Sequence, residues 1–288
     1  MSGRLGTLIL AFTTLAACAG PAQQPTGSWV WEDDDPAHGG YSAIEVTEGG
    51  RSAVVLSDRG RLVQLRIRRG PGGQITGIES DGGTTLAAFD GGEGTPDTEG
   101  LAIPDAGDRF YISIERNPRV LAYMTPSRTP RSLPIPEAFE ALPTNRALEG
   151  LAIDADGALW TMPEDASGDT LPTYILRGTT WQDGPALPRR GEFVPVGLDF
   201  DDTGRLYLLE RDLEGLLGFR SRVRRFTFTG DEITAEEELL ATLPGIHDNL
   251  EGIAVWRDDA GKLRLTMISD DNFFFVQRTE IVEYDVPD

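Results

Sequence analysis

Short apolar runs separated by turn residues recur along almost the whole chain. Leu151-Ala152-Ile153 and Ala158-Leu159-Trp160-Thr161-Met162 are two of them, joined by Asp154-Ala155-Asp156-Gly157. Runs this short, bounded by Asp and Gly, predict β-strands rather than helices. Gly157 supplies the positive φ that a tight hairpin needs. The hairpin is acidic at its open end, because Glu149 precedes the first run and Glu164 follows the second. In an antiparallel pair those two ends lie side by side, so both carboxylates reach the same edge of the sheet.

The same pattern returns four more times. Glu99-Gly100-Leu101-Ala102 leads through Pro104-Asp105-Ala106-Gly107 to Phe110–Arg116, and Glu251-Gly252-Ile253-Ala254 leads through Asp258-Asp259-Ala260-Gly261 to Leu263–Asp271. Two looser copies are Ser42-Ala43-Ile44-Glu45, followed by Ala53–Arg59, and Val196-Gly197-Leu198-Asp199, followed by Leu206–Arg211. Aligned at positions 42, 99, 149, 196 and 251, the copies are 57, 50, 47 and 55 residues apart. That is the spacing of four-stranded propeller blades. The pattern therefore predicts an all-β β-propeller of five blades, six being the alternative count.

Further strands complete the units. Arg61–Arg68 alternates apolar and basic positions and is followed, after Gly70-Pro71-Gly72-Gly73, by Ile75–Glu79; Arg119–Tyr123, Tyr174–Arg177 and Ser221–Phe228 fill the third place in later units. Pro136–Leu142 is a candidate for a helical turn, and in Asp231–Leu243 helix competes with strand. The fifth unit shows only three strands, ending on Glu280–Val286, so Ser28-Trp29-Val30-Trp31 is expected to supply the fourth and close the ring without a free edge.

Residues 1–17 carry one positive charge, Arg4, and an apolar core, Leu8–Phe12, too short to span a bilayer, which is the pattern of a secretory signal. Leu15-Ala16-Ala17-Cys18 resembles a bacterial lipobox, which implies lipidation of Cys18, the only cysteine. Ala19 in the next place implies an outer-membrane anchor, facing the periplasm or the cell surface. Residues 18–27 read as a flexible tether and 28–288 as the propeller. With a single cysteine no internal disulfide forms, and the ring is expected to be monomeric.

The net charge is −21, which argues against nucleic acid or an anionic lipid surface as partner and favours cations. If the first strand of each unit lines the channel, its start and the end of the next strand share one face of the disc. That face would collect Glu99, Glu149 and Glu251, with Glu45 and Asp199 three residues further along, and Asp58, Glu115, Glu164, Glu210, Asp270 and Asp271 from the strand ends; Asp97, Asn145, Asn249 and Asn272 add oxygen donors. So many carboxylates need a compensating charge, and Ca2+, which accepts six to eight oxygens in loose geometry, is the natural one. The alternative is architectural: the acids cap strand ends and tie blade to blade. Arginine follows the acid at Arg59, Arg116 and Arg211. Its fork fits a phosphate or a neighbouring carboxylate equally well.

Ser57-Asp58-Arg59-Gly60, the Glu-Gly-Leu-Ala copies, Asn249–Ile253 and Ser269–Phe273 together resemble the phytase-like family (esterase-like activity of phytase) of bacterial secreted proteins, over about residues 38–286. The resemblance implies a propeller and a phosphoesterase or phosphodiesterase activity, and the matching positions are Glu45, Asp58, Arg59, Glu99, Glu149, Glu251, Asp270 and Asn272. Ser42 and Val196 stand where the motif has glutamate. The candidate assignment is then Glu99, Glu149, Glu251, Asp199, Asp270 and Asn272 for the metal, with Glu45, Asp58, Arg59, Arg116 and Arg211 as catalytic residues acting on a small phosphorylated substrate. A ligand- or protein-binding propeller with an envelope partner and a lactonase-type metal hydrolase are the other readings. His38 and His247 do not form a zinc spacing. There is no Gly-x-Ser-x-Gly elbow and no P-loop.

Overall fold

The computed structural model describes residues 24–89, 97–104, 108–164 and 168–288. The signal, Cys18 and most of the tether lie outside them, as does the Asp105-Ala106-Gly107 turn. Five antiparallel sheets form a ring, four of them four-stranded and the first five-stranded because Thr84–Thr85 also pairs with Arg61–Arg69; Thr170–Leu171 and Leu187–Pro188 make a further two-stranded sheet. The innermost strands are Tyr41–Thr47, Thr98–Ala102, Leu148–Ile153, Val194–Phe200 and Asn249–Arg257, and each packs against the next, the last against the first.

The ring closes as the alternation predicted. Gly27–Val30 pairs antiparallel with Glu280–Asp285, so the N-terminal strand is the outer strand of the fifth blade. The other ambiguous segments are also settled: Glu137–Glu140 is a short α-helix, and Glu232–Ala241 is a strand.

Burial grades outward. The second strands of the fourth and fifth blades are enclosed on both faces: Leu206–Glu210 and all of Leu263–Asp270 are buried. Such strands read as continuous apolar runs because blades cover them from both sides. The third strand of the first blade, Arg61–Arg69, keeps the alternation, with Val63, Leu65 and Ile67 buried and Gln64, Arg66 and Arg68 exposed. Outer strands such as Glu232–Ala241 are mostly exposed.

The glycine of the repeat has a structural reason. A Cβ on Gly100 would lie 2.6 Å from the Glu149 carbonyl oxygen, one on Gly197 2.6 Å from that of Glu251, one on Gly150 2.8 Å from the Leu198 nitrogen, and one on Gly252 2.8 Å from the Ala43 Cα. Each contact is made to the next blade. These are the points where neighbouring inner strands touch, and only glycine permits so close an approach. Where the five strands meet, the space left is about 10 Å³, room for a single water at most. The channel is closed at its waist.

Candidate functional site

Every inner strand carries a bulge at the motif. The pairing register slips between Tyr41 and Ala43, Thr98 and Leu101, Leu148 and Leu151, Pro195 and Gly197, and Leu250 and Gly252. A bulge re-aims the side chain that it contains. Glu99, Glu149 and Glu251 are thereby turned to one end of the ring, beside the strand ends that carry Glu115, Glu164 and Asp270.

These carboxyls feel one another. Burial, with Glu149, Glu251, Asp97 and Glu115 nearby, holds Glu99 well above the usual carboxylate range. Glu149 is raised in the same way, by burial and then by Glu251 and Glu164, against the opposing pull of Arg211. Burial raises Glu251, Asp58 and Glu115 too, and pushes Asp270 up to about 8, with Glu251 and Asp58 adding to the effect. Glu149 is only 6% exposed. No described residue donates a hydrogen bond to the carboxylate of Glu149 or Glu99. Asp97, Glu99 and Glu115 can each bring an oxygen within 4.8 Å of the others. Carboxylates that converge within a cation's reach, Glu99 among them without a donor, suit a hard divalent ion.

The three arginines differ. Arg211 is wedged among the acids, donating to Glu251 at 2.6 Å, to Glu164 at 3.3 Å and to Asn249. Arg116 is exposed and pairs with Asp97 at 2.8 Å. Arg59, also exposed, has no carboxylate within 4.0 Å among the described residues; its guanidinium lies 3.2 Å from the centre of the Phe273 ring. The loop that sets this contact is strained, with Asn272 at φ 48° and Phe273 at φ 51°. Asp271 holds it, accepting from the Phe273 and Gly40 amides. Arg146, which the sequence reading passed over, also closes the site, pairing with Glu164 at 2.8 Å and donating its amide to Glu115.

Several expected members lie elsewhere. Glu45 and Asp199 stand three residues past the bulge, and three residues of strand carry them about 10 Å on, to the opposite end of the ring. There Glu45 accepts from the Ile103 amide and Asp199 from the Val255 amide, each bonding to another blade. Both line a separate cup of about 700 Å³. Glu210 is fully buried on the other face of its sheet, because it alternates with Arg211 along the strand; Arg222 and Arg224 hold it at 2.8 and 2.7 Å. Asn272 is exposed and donates to Gln277 at 3.4 Å, so its amide serves the loop. At the motif position of the first blade, Ser42 donates to the Thr98 carbonyl at 2.7 Å, a link between blades.

The family model described as phytase-like, esterase-like activity of phytase, matches residues 36–273. No curated protein matches. Among solved structures, the chain is similar to one described as a nidogen/laminin complex (15% identity, TM-score 0.48, covering 76% of this chain and 70% of that one). It is also similar to a gluconolactonase from Xanthomonas campestris (13%, 0.48, 86% and 72%) and to a glucose dehydrogenase (13%, 0.45, 93% and 100%).

Proposed function

The chain belongs to the phytase-like family, and from that premise we propose that it is a divalent-cation-dependent hydrolase of phosphate esters. Calcium is the first candidate ion. The observation that carries this reading is the pair Glu99 and Glu149, carboxylates raised by burial and by neighbouring acids, to which no described residue donates a hydrogen bond. Asp97, Glu99 and Glu115 would hold the ion, with Glu149, Glu251 and Asp270 adjoining. When bound, the ion neutralises the acids and polarises the phosphate.

The protein's own groups do the rest. Arg59 receives a non-bridging phosphate oxygen, since among the described residues it makes no ion pair within 4.0 Å and rests on the Phe273 ring. Arg211 holds Glu164 and Glu251 in place. A water oxygen bonds to phosphorus as the ester P–O bond breaks; a carboxylate of the site takes the water proton and passes it to the departing oxygen, which leaves as the alcohol. Lipidation at Cys18 and an outer-membrane location belong to the same proposal, and labelling with a radioactive fatty acid, compared with Cys18→Ser, tests them.

The deciding experiment is a chelator-stripped full chain titrated with calcium, with magnesium as comparison. Melting temperature and turnover of a phosphodiester panel are followed together. Binding to the folded state raises the melting point by mass action. A saturable rise accompanied by turnover, both lost in Glu149→Gln/Glu251→Gln, is expected. No rise and no turnover with either ion at any pH from 5 to 9 would sink the reading.

A further inference from the structure

Above the acid end of the ring the fold leaves an apolar crest uncovered. The loop after Leu206–Leu213 carries Leu216 and Leu217, the segment entering the fifth blade carries Leu243 and Ile246, and the loop after Leu263–Asp270 carries Phe274 and Phe275. All six are exposed, Phe275 at 89%. These loops leave or enter strands at the ends that bear Arg211, Asn249 and Asp270, so they stand over the carboxylates rather than over the opposite cup.

Hydrogen bonds join the three loops into one surface. The Gly245 amide donates to the Phe219 carbonyl at 2.8 Å. Gln277 Nε2 and the Arg278 amide donate to the Asp248 carboxylate at 3.0 and 2.9 Å. Of the other exposed large apolar side chains among the described residues, Leu213 and Val276 adjoin these loops in sequence, Val30 lies on the outer strand of the fifth blade, and Met124 and Ile135 belong to the second blade and the segment after it. Single exposed leucines are ordinary, whereas a contiguous group at the edge of a charged site marks a contact surface.

The crest is continuous with the phosphate position. Phe273, the residue before the exposed pair, lies under the Arg59 guanidinium. Arg59 therefore touches the loop that carries Phe274 and Phe275. The net charge of −21 repels an anionic bilayer, but it does not exclude a single amphiphile whose phosphate meets Arg59.

We propose that the site takes amphiphilic phosphate esters, the phosphate on Arg59 and an alkyl or acyl chain along Leu216, Leu217, Leu243, Ile246, Phe274 and Phe275. This rests on the phosphate-ester reading and narrows it to a substrate class. Each methylene covered by the crest strengthens binding about fourfold, so a chain of moderate length dominates selectivity.

The test uses the full chain carrying Cys18→Ser, so that no detergent competes, with calcium present. Octyl phosphate below its micellar concentration and methyl phosphate are titrated calorimetrically, and the corresponding p-nitrophenyl octyl and methyl phosphodiesters are assayed for turnover. Octyl phosphate is expected to bind at least about tenfold more tightly. Leu216→Ser/Leu217→Ser and Phe274→Ser/Phe275→Ser should each reduce that preference while methyl phosphate binding and the melting point stay unchanged. Equal affinity for the two phosphates, binding of neither, or a preference that survives in both double variants overturns the proposal, whatever the turnover. An octyl preference that depends on these residues with no turnover of either ester upholds the amphiphile site and removes the hydrolase reading instead.

Discussion

The two ends of the ring carry the same residue types in opposite electrical states. At the lower end Asp154, Asp201 and Asp258 each open a hairpin turn and accept its amides: Asp154 from Asp156 and Ala158, Asp201 from Thr203 and Arg205, Asp258 from Ala260 and Lys262. Arg205 and Arg264 add ion pairs at 2.7 and 3.0 Å. These bonds outweigh burial and hold Asp201 and Asp258 below the usual carboxylate range. At the upper end Glu99, Glu149 and Asp270 are held above it. An acid at a turn satisfies the backbone, whereas an acid at a bulge is left to satisfy something else.

The largest effect expected from this contrast is on stability. Asp201→Ala strips acceptors from two turn amides, the Thr203 hydroxyl, Arg205 and Tyr207. It should cost about 3 kcal/mol, measured by urea unfolding, because buried donors are left unmet. A loss below about 1 kcal/mol would erase the distinction between the two ends.

The next effect is on pH dependence, and its sign differs at each end. Asp201 and Asp258 have folded pKa values below the ordinary 3.8. Their contribution is present above that pH and is lost as the pH falls through the depressed values. Asp270 runs the other way, from 3.8 unfolded to about 8 folded. Its contribution is complete below 3.8 and is lost as the pH rises towards 8. In chelator, the melting temperature is therefore expected to fall between pH 5 and 8, by roughly 5–10 °C for a few kcal/mol. Saturating calcium should remove the slope. A flat profile in chelator would mean that the upper acids are already neutralised by the protein itself.

Much of this arrangement was legible in the sequence. The Glu-Gly-Leu spacing and the alternation in Arg61–Arg69 gave strands, blades and ring closure, because both depend on local periodicity and burial. The convergence of Glu99, Glu149 and Glu251 was legible too, since equivalent positions in a ring meet. The glycine was harder to read: its role lies in contact with the neighbouring blade, and no local signal distinguishes that from a turn. Glu45 and Asp199 were misplaced because an offset of three residues looks small in a string but crosses the disc along an extended strand. Glu210 was misplaced because its partners, Arg222 and Arg224, lie on another strand. The pairing of Arg59 with Phe273, far apart in sequence, left no signal at all.

A smaller effect sharpens the contrast within the upper end. Glu149→Gln removes one charge from a group of like charges while nearly preserving shape. In chelator at pH 8 it should leave stability unchanged or raise it by about 1 kcal/mol, the reverse of Asp201→Ala. In calcium the variant should lose most of the wild-type gain in melting temperature. A clear destabilisation in chelator would assign Glu149 to the architecture, beside its lower-end counterparts.

The smallest effect on stability, and the most selective, concerns Arg59. Arg211 is committed to Glu164 and Glu251, and Arg116 to Asp97, so removing either disturbs the acids themselves. Arg59 rests on an aromatic ring at the surface and neutralises no carboxylate within 4.0 Å among the described residues. Arg59→Gln should therefore change the unfolding free energy by less than about 0.5 kcal/mol and leave the calcium-induced rise in melting temperature intact. What it removes is a charged donor to the phosphate, and a bond of that kind is worth about 1.5–3 kcal/mol. KM for a phosphate ester should rise about tenfold or more while the calcium midpoint stays fixed. If KM is unchanged while the calcium midpoint shifts, Arg59 belongs to the cation side of the site, and the phosphate must be held at the carboxylate face through the ion alone.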